Sequence, residues 1–345
     1  MNYYNTVSYK QELEEIVNKH KYFFLNSSLL ITGARGMLGS MLVDAVMLAN
    51  RKYDINCRVY AVVRNREAAE KRFEKYVDMR LFQLITADIN KDVINGVEGT
   101  VDYIVHGASN THPYLYSGKP IETILTNVVG TNNLLEFAVH HGCKRFLFLS
   151  SVEIYGENRG ECERFTEDVY GYIDSNTLRA GYPEGKRAGE ALCQAYRKEY
   201  GLKSVILRIA RCYGMGILEN DSKALSQFLC KAKEKKSLIL KSDGKQQYSY
   251  VYQADVVDAI CYFLQYGEVG EAYNITGYDS DITLMKLTEI IADIAEVSVV
   301  HELPDSEEAA GYSKATKALL DGKKAKEAGW EAHFKIQEGI KRCLQ

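Results

Sequence analysis

A glycine-rich turn between a strand and a helix constrains this fold more than any other feature of the sequence. The apolar run 28–32 is typical of a buried strand, and residues 37–50 have a helical composition. The glycines between them are spaced G-x-x-G-x-x-G. Glycines let a pyrophosphate approach the backbone, and a helix N-terminus offers free N–H groups and partial positive charge. The residues predicted to bind a dinucleotide here are Gly33, Arg35, Gly36, Met37, Leu38 and Gly39.

Short apolar runs alternate with helical stretches after this turn. Further strands are predicted at 57–63, 81–85, 103–106 and 145–150. This alternation is typical of an α/β fold, in which a parallel sheet is covered on both faces. After residue 210 the alternation loosens, which indicates a second, smaller lobe. The predicted organisation is a helical extension at 1–27, a mainly nucleotide-binding domain at 28–210 and a mainly substrate-binding lobe at 211–345, with the chain crossing between the two.

Composition and charge exclude several classes of protein. The 43 Lys and Arg residues nearly balance the 46 Asp and Glu residues, so no strong field exists to hold nucleic acid or an acidic membrane surface. No run approaches the roughly 18 consecutive apolar residues of a membrane-spanning helix, and the amino terminus lacks the apolar core of a signal peptide. The eight cysteines form no CxxC pair and no zinc-finger pattern. We therefore expect a cytoplasmic protein without a metal, a nucleic-acid partner or a membrane anchor.

Three further segments at predicted strand ends are candidates for the rest of a dinucleotide site. The second strand is followed by an arginine and not by the acidic residue that binds the ribose hydroxyls of NAD. Because an arginine there can accept the 2′-phosphate of NADP, both cofactors stay open. The arginine is Arg64. Asp88 and Ile89 follow the next predicted strand and could hydrogen-bond adenine. Gly107, Ala108 and Ser109 follow the strand after that, and these small residues would let a cofactor lie flat.

A tyrosine and a lysine four residues apart begin a predicted helix over 182–200. Tyr182 and Lys186 share one face of this helix, and Pro183 suits its first position. A phenol has an ordinary pKa of about 10, and a nearby ammonium and an oxidised nicotinamide both favour the phenolate. The phenolate could remove a proton from a substrate hydroxyl while hydride leaves the same carbon. Ser151, at the end of a buried-looking strand, would hydrogen-bond the same oxygen.

Together these elements resemble the extended short-chain dehydrogenase/reductase superfamily, in its nucleotide-sugar epimerase/dehydratase branch. Beyond the segments above, the matching motifs are N-V-V-G-T-N-N-L-L-E at 127–136, S-V-E-I-Y-G at 151–156 and R-I-A-R-C-Y-G at 208–214. The resemblance implies a Rossmann-type, doubly wound parallel sheet with a smaller carboxy-terminal lobe that binds a sugar nucleotide. It also implies that Asn127 contacts a nicotinamide cofactor, NAD or NADP, that is often retained through the cycle. A homodimer built from helices 120–141 and 182–200 is a further implication.

Members of this branch first oxidise C4 of the sugar, and the 4-ketone then permits epimerisation, loss of water or loss of a C5 carboxylate. Glu153 resembles the glutamate of 4,6-dehydratases and glucuronate decarboxylases, whereas many 4-epimerases carry a small or hydroxyl residue. The stretch R-A-G-Y-P-E-G-K-R that begins at Arg179 is similar to UDP-glucuronate decarboxylases. Arg179 could lie near a substrate carboxylate or pair with the acidic segment 157–174. We expect decarboxylase-like or dehydratase-like chemistry first, a 4-epimerase as the alternative, and below them a ketosugar reductase or a non-catalytic dinucleotide sensor.

Three residues depart from the family pattern. Val152 stands where decarboxylases and dehydratases usually have a polar or acidic residue, Arg211 replaces the usual asparagine, and Tyr248 replaces the usual arginine of the diphosphate-binding segment. Our hypothesis is that Arg211 and Tyr248 form a rearranged phosphate clamp in which Arg211 supplies the charge. The predicted catalytic residues are Ser151, Glu153, Tyr182 and Lys186. The predicted substrate-binding residues are Ser109, Ser151, Arg179, Arg211 and Tyr248.

Overall fold

The computed structural model describes residues 3–111, 118–217, 221–302 and 316–345. Its strands are β1 (Ser28–Thr32), β2 (Arg58–Val63), β3 (Phe82–Thr86), β4 (Tyr103–His106), β5 (Arg145–Ser151), β6 (Ser204–Ile209), β7 (Arg211–Tyr213), β8 (Leu238–Leu240), β9 (Gln247–Tyr252), β10 (Ala272–Ile275), β11 (Asp281–Thr283), β12 (Val299–His301) and β13 (Lys317–Ala318). Its α-helices are α1 (Val7–His20), α2 (Met37–Tyr53), α3 (Arg66–Arg72), α4 (Pro120–His140), α5 (Gly181–Tyr200), α6 (Ala224–Lys233), α7 (Gln253–Tyr266), α8 (Leu284–Ala295), α9 (Lys323–Glu327) and α10 (Ile336–Leu344). Short 3-10 turns occupy Tyr3–Asn5, Val152–Tyr155 and Leu178–Ala180.

A seven-stranded parallel sheet forms the centre of the molecule. Its strand order is β3-β2-β1-β4-β5-β6-β10, so the order reverses between β1 and β4. In doubly wound sheets a ligand binds beyond the carboxyl ends of the strands at such a reversal. The predicted fold class, an α/β Rossmann-type sheet, is confirmed.

Alternate side chains of the central strands enter two separate hydrophobic cores. Leu29 and Ile31 of β1 belong to the core that includes buried side chains of α1, α2 and α7. Leu30, between them, belongs to the opposite core beneath α4 and α5. Because successive side chains of a strand point to opposite faces, a strand covered on both sides is apolar throughout. This explains the uninterrupted apolar runs in the sequence.

The smaller lobe is built around a second sheet. In this sheet β9 pairs with β7 and β13 in parallel and with β11 in antiparallel orientation. A separate parallel pair joins β8 to β12. The chain then returns to the large sheet, since β10 pairs with β6. A single residue separates the carboxyl end of β6 from β7. The smaller lobe therefore begins directly beside the large sheet.

The helix α1 lies within the predicted extension at 1–27 and packs on α2 and α7. Thr6 caps its N-terminus, because the Thr6 side chain accepts a hydrogen bond from the backbone N–H of Tyr9. Within the described ranges, no helix combines the length and apolar character needed to span a bilayer.

Candidate active site

The glycine turn brings the first turn of α2 against the ends of two strands. Gly33 has φ +69°, and a Cβ there would lie 2.8 Å from the backbone C and O of Gly107. A Cβ on Gly39 would lie 2.5 Å from the carbonyl oxygen of Gly33. Any side chain at these two positions would collide with backbone. The first N–H groups of a helix have no intrahelical partner, so this tight turn and the start of α2 fit the pyrophosphate of a dinucleotide.

A buried histidine fixes the strand ends beside this turn. The two ring nitrogens of His106 lie 2.8 Å from the Thr32 hydroxyl and 3.0 Å from the Thr131 hydroxyl. Thr131 in turn donates to the carbonyl of Asn127, and the N–H of Ala108 donates to Thr32. Burial lowers the pKa of His106 to about 3, with a smaller contribution from Lys186, so the imidazole is neutral. Sequence reasoning did not predict this positioning role of His106.

The predicted cofactor residues Ser109 and Asn127 are in direct contact. The Ser109 hydroxyl donates to Oδ1 of Asn127 at 2.9 Å, and Asn127 is almost fully buried. A Cβ on Gly185 would lie 2.9 Å from Cβ of Asn127, so this residue also contacts the first turns of α5. Helix packing thereby places Asn127 between the strand ends and the tyrosine–lysine pair.

Arg64 follows the end of β2 and is held by two residues that sequence reasoning missed. Its guanidinium lies 2.5 Å from a carboxylate oxygen of Glu122 and donates to Oδ1 of Asn110 at 3.3 Å. More than half of the Arg64 side chain is exposed. The arginine is therefore accessible to an adenosine 2′-phosphate, but Glu122 competes for its charge.

Asp88 and Ile89 follow the end of β3, the neighbouring strand. Oδ1 of Asp88 accepts the backbone N–H of Asn90 at 3.1 Å, which is a local turn, while Ile89 is buried. The structure places this pair on the same side of the strand reversal as Arg64. Adenine contacts there remain a prediction.

Tyr182, Lys186 and Ser151 meet at the carboxyl end of β5. Tyr182 lies in the first turn of α5 and has a side-chain hydrogen bond with Ser151, the last residue of β5. The Lys186 ammonium donates to the carbonyl of Leu149 at 2.8 Å and lies 4.7 Å from the ring centroid of Phe148. Both Tyr182 and Lys186 are buried. The helical spacing thus delivers the two groups to one site.

The protonation of this pair differs from the expectation that Lys186 lowers the pKa of Tyr182. Burial chiefly raises the pKa of Tyr182, the hydrogen bond with Ser151 lowers it and the charge of Glu153 raises it, and the net pKa is about 12. Burial also lowers the pKa of Lys186 to about 7. Desolvation disfavours the charged form of each group. In the protein alone, Tyr182 is therefore a neutral phenol.

Glu153 lies in the 3-10 turn Val152–Tyr155, so the extended backbone of β5 ends at Ser151. Ser151 instead caps this turn and accepts the Glu153 N–H at 3.2 Å. The Glu153 carboxylate is 3.0 Å from the guanidinium of Arg179 and 3.6 Å from that of Arg211. Burial by itself raises the pKa of Glu153, but the two arginines outweigh burial and lower it. Glu153 is therefore ionised, and Arg179 forms an ion pair with it.

Arg211 and Tyr248 come together on the neighbouring strands β7 and β9. The guanidinium carbon of Arg211 lies 3.8 Å from the ring centroid of Tyr248, a cation–π contact. Tyr248 is buried, and this contact holds Arg211 over its ring while Arg211 also faces Glu153. The two departures from the family pattern thus form one unit next to the predicted catalytic carboxylate.

A buried ion pair that sequence reasoning missed supports the catalytic helix. Glu190, one helical turn after Lys186, lies 2.7 Å from Arg208 of β6 and accepts the Ser150 hydroxyl at 2.5 Å. Arg208 also donates to the Tyr155 hydroxyl at 3.0 Å. The helical spacing could have indicated Glu190, because residues 186 and 190 share a helix face. This network anchors α5 to the sheet beneath the site.

Among the described residues, no group of three or more His, Cys, Asp or Glu side chains is arranged to hold a metal ion.

Comparison with known proteins identifies the class to which this site belongs. The model of the NAD-dependent epimerase/dehydratase family matches residues 29–276. The chain belongs to this family. It is 31% identical over 325 residues to UDP-glucuronic acid decarboxylase 6 of Arabidopsis thaliana, covering 93% of this chain and 88% of the relative. It is 30% identical over 320 residues to UDP-glucuronic acid decarboxylase 1 of Danio rerio, covering 92% and 72%.

Solved structures show the same architecture. The dTDP-glucose 4,6-dehydratase of Streptomyces venezuelae, determined with NAD, superposes with a TM-score of 0.75 at 25% identity, covering 92% of this chain and 95% of that one. The UDP-glucose 4-epimerase of Thermotoga maritima superposes with a TM-score of 0.76 at 23% identity, covering 92% and 97%, which shows a shared fold. The prediction of an enzyme in the nucleotide-sugar epimerase/dehydratase family is confirmed.

Proposed function

We propose that this enzyme decarboxylates a nucleotide-linked hexuronic acid through a transient 4-keto sugar. One observation carries the proposal: Arg179 and Arg211 converge on Glu153 beside Ser151 and Tyr182. A substrate carboxylate at C5 would enter a region that already has two guanidinium groups, and arginine binds carboxylates well. The similarity to UDP-glucuronic acid decarboxylases over more than nine-tenths of the chain supports the same substrate class.

Oxidation at C4 is assigned to Tyr182 and Ser151. NAD, when bound over the glycine turn, supplies the acceptor for the C4 hydride. Tyr182 removes the proton of the C4 hydroxyl, while Ser151 orients that oxygen. Because burial holds the Tyr182 pKa at about 12, we propose that the positive charges of the oxidised cofactor and of Lys186 favour the phenolate when the site is filled.

Loss of carbon dioxide follows from the ketone. The C5–C6 bond breaks, its electron pair moves toward the C4 oxygen, and Ser151 and Tyr182 stabilise the developing negative charge. C5 then takes a proton from solvent, the hydride removed from C4 would return to it from the bound nicotinamide, and Tyr182 returns its proton to O4. Arg179 and Arg211 hold the carboxylate before the bond breaks, and we propose that Glu153 keeps both guanidinium groups in place.

A 4,6-dehydratase is the second candidate, and the ionised state of Glu153 favours it. An ionised carboxylate can take a proton from the carbon next to a 4-ketone, which is the step that precedes loss of water. The arginine pair argues against this candidate, because a neutral hexose offers the two guanidinium groups no acidic group.

The remaining site residues have roles in the same proposal. Asp88, Ile89, Gly107, Ala108 and Asn127 would line the adenosine and nicotinamide parts of a retained cofactor. Arg64 would decide between NAD and NADP, and its ion pair with Glu122 favours NAD because the guanidinium already has an acidic partner. Arg211 and Tyr248 would contact the sugar end of the substrate, with a diphosphate contact as the alternative.

We also propose a homodimer and a cytoplasmic location. Helices α4 and α5 pack on each other, and α4 leaves apolar side chains exposed on its outer face, which supports the homodimer.

The eight cysteines are all free thiols, which is typical of a reducing compartment and supports the cytoplasmic location.

The reaction is tested by incubating the enzyme with a panel of UDP-, dTDP-, GDP- and CDP-linked hexoses and hexuronic acids, followed by mass spectrometry. Loss of the mass of carbon dioxide from a hexuronate is the expected result. Loss of the mass of water from a hexose would establish the dehydratase instead. An unchanged mass with an altered NMR spectrum would establish a 4-epimerase, a gain of two hydrogens a reductase, and cofactor binding without any turnover a sensor.

A further inference from the structure

A short segment before α1 contacts two parts of the chain, the start of α2 and the residues that follow β7, which are called here the two walls. The Tyr3 hydroxyl lies 3.4 Å from the Ser40 hydroxyl in the first turn of α2. A Cβ built on Gly216 would lie 3.3 Å from the same Tyr3 oxygen and 3.2 Å from Cγ of Met37. The Thr6 hydroxyl lies 3.7 Å from the sulfur of Met215. Residues 3–6 therefore bridge the start of α2 and the segment that follows β7.

These two walls have different origins. Met37 and Ser40 belong to the helix whose N-terminus fits the pyrophosphate, while Met215 and Gly216 follow the strand that carries Arg211. The second wall is itself fixed, since the Gly216 N–H donates to the side chain of Gln253 at 2.9 Å. A separation of the walls must break the contacts of residues 3–6.

The segment is attached to the body of the protein by the first turns of α1. The Tyr3 ring packs edge-on against the Tyr9 ring, with 5.3 Å between centroids. The Tyr9 hydroxyl donates to the buried carboxylate of Asp44 at 2.7 Å, and Asp44 pairs with Arg72. Burying an aromatic ring with a satisfied hydroxyl stabilises such a contact. The Tyr3 ring is thus positioned by Tyr9, which is itself fixed by Asp44.

We propose that residues 3–6 form a clasp that holds the start of α2 against residues 215–216 and thereby slows release of the dinucleotide. The proposal rests on cofactor binding at the glycine turn and is independent of which sugar reaction follows. Tyr3 acts as a positioning residue, through Met37 and Ser40, and makes no chemical step itself. The clasp provides a structural reason for a cofactor that stays bound through a reaction cycle.

The experiment measures NADH dissociation by stopped-flow fluorescence, with excess NAD as the chase, for wild type, Tyr3→Ala and Tyr3→Phe. Loss of the ring and the hydroxyl in Tyr3→Ala should raise the dissociation rate at least about fivefold. Tyr3→Phe keeps the ring on Tyr9 but loses the hydroxyl beside Ser40 and Gly216, so it should also release NADH faster than wild type. Val7→Ala is the matched control, because Val7 is 71% exposed. The nicotinamide content of each purified protein is measured by chromatography as a second readout.

Thermal unfolding separates a positioning role from a structural one. A lower melting temperature for Tyr3→Ala with an unchanged dissociation rate would overturn the proposal, as would an equal rate increase in Val7→Ala. If Tyr3→Ala releases NADH faster but forms the same product from the nucleotide-sugar panel as wild type, the clasp is supported whichever sugar reaction the enzyme catalyses. A wild-type enzyme that binds neither NADH nor NADPH would refute the clasp at its basis.

Discussion

At the scale of single residues, burial controls the chemistry of the tyrosine–serine–lysine site. The Tyr182 pKa of about 12 and the Lys186 pKa of about 7 are both displaced toward the neutral form. A desolvated pair of this kind responds strongly to any charge that enters the site, since a neighbouring charge interacts more strongly where water is excluded. The empty and the cofactor-loaded enzyme should therefore differ in the ionisation of Tyr182.

Replacement of Tyr182 by phenylalanine removes the proposed acid and base without removing the ring. We expect turnover to fall by at least about two orders of magnitude, the usual contribution of general acid–base catalysis, while cofactor content stays near that of wild type. Product formation is followed by mass spectrometry under single-turnover conditions. Tyr172→Phe is the control because that tyrosine is largely exposed. Near-normal turnover in Tyr182→Phe would exclude the assigned role.

Glu153→Gln separates the oxidation at C4 from the later step. The amide keeps the size of the side chain but removes the charge that holds Arg179 and Arg211. We expect the reduced-nicotinamide absorbance to appear in stopped-flow records and the final product to form at least about tenfold more slowly, because misplaced arginines no longer hold the substrate. Glu157→Gln, in the neighbouring loop, is the control. If Glu153→Gln completes the cycle at the wild-type rate, Glu153 is structural and the 4-epimerase gains support.

At the scale of secondary-structure elements, α1 carries a buried carboxyl group that joins three parts of the chain. Glu12 is 1% exposed, and its Oε1 accepts the Tyr252 hydroxyl of β9 at 3.0 Å and contacts Arg342 of α10 at 3.2 Å. Burial raises the pKa of Glu12 to about 7, although Tyr252 and Arg342 partly oppose the shift. The folded protein therefore holds this proton more tightly than the unfolded chain.

This shift predicts a pH-dependent stability. A carboxyl group whose pKa is raised on folding stabilises the protein below its unfolded pKa, and that contribution is lost as pH rises from 4.5 to about 7. Relative to Glu12→Gln, the free energy of unfolding of wild type should fall by about 3 kcal/mol over this window. Urea unfolding at several pH values measures the difference. A pH-independent difference for Glu12→Gln would contradict the assignment.

At the scale of the whole molecule, the proposed dimer rests on the outer face of α4. Ile121, Leu125 and Val129 follow one another at four-residue spacing and are all exposed. Side chains four apart share a helix face, and an exposed apolar stripe of this kind marks an interaction surface. The α4–α5 pair is the surface that the sequence predicted for a two-fold dimer.

Leu125→Glu tests this surface. A charge at the centre of a self-complementary interface is repeated by symmetry in the partner, so we expect the dimer to dissociate to monomer at micromolar concentration. Light scattering coupled to size-exclusion chromatography measures the mass. Val93→Glu is the control, since Val93 is 75% exposed in a loop outside α4 and α5. A wild type that is monomeric would refute the dimer, and a dimeric Leu125→Glu would move its interface elsewhere.

Features that depend on neighbours along the chain could be predicted from the amino-acid order alone. The glycine turn, the alternation of strands and helices, and the pairing of Tyr182 with Lys186 follow from local backbone freedom and helical spacing. For this reason the order of elements could be predicted, and the glycine turn and the tyrosine–lysine pair could be placed within it. The positions of Arg64 and Asp88 at strand ends could be predicted because parallel strands end on one edge of a sheet. Asn127 lies within α4 and was named only through the resemblance, as was the family.

Contacts between distant segments could not be predicted, because they form only when the chain packs. Glu153, Arg179 and Arg211 come from three elements, and their ion pairs depend on a 3-10 turn after β5 that no sequence pattern indicated. The contacts of Tyr3 with Ser40 and Gly216 join residues that no periodicity relates. The raised pKa of Tyr182 likewise depends on burial, which is a property of the packed molecule and not of the residues beside it in sequence.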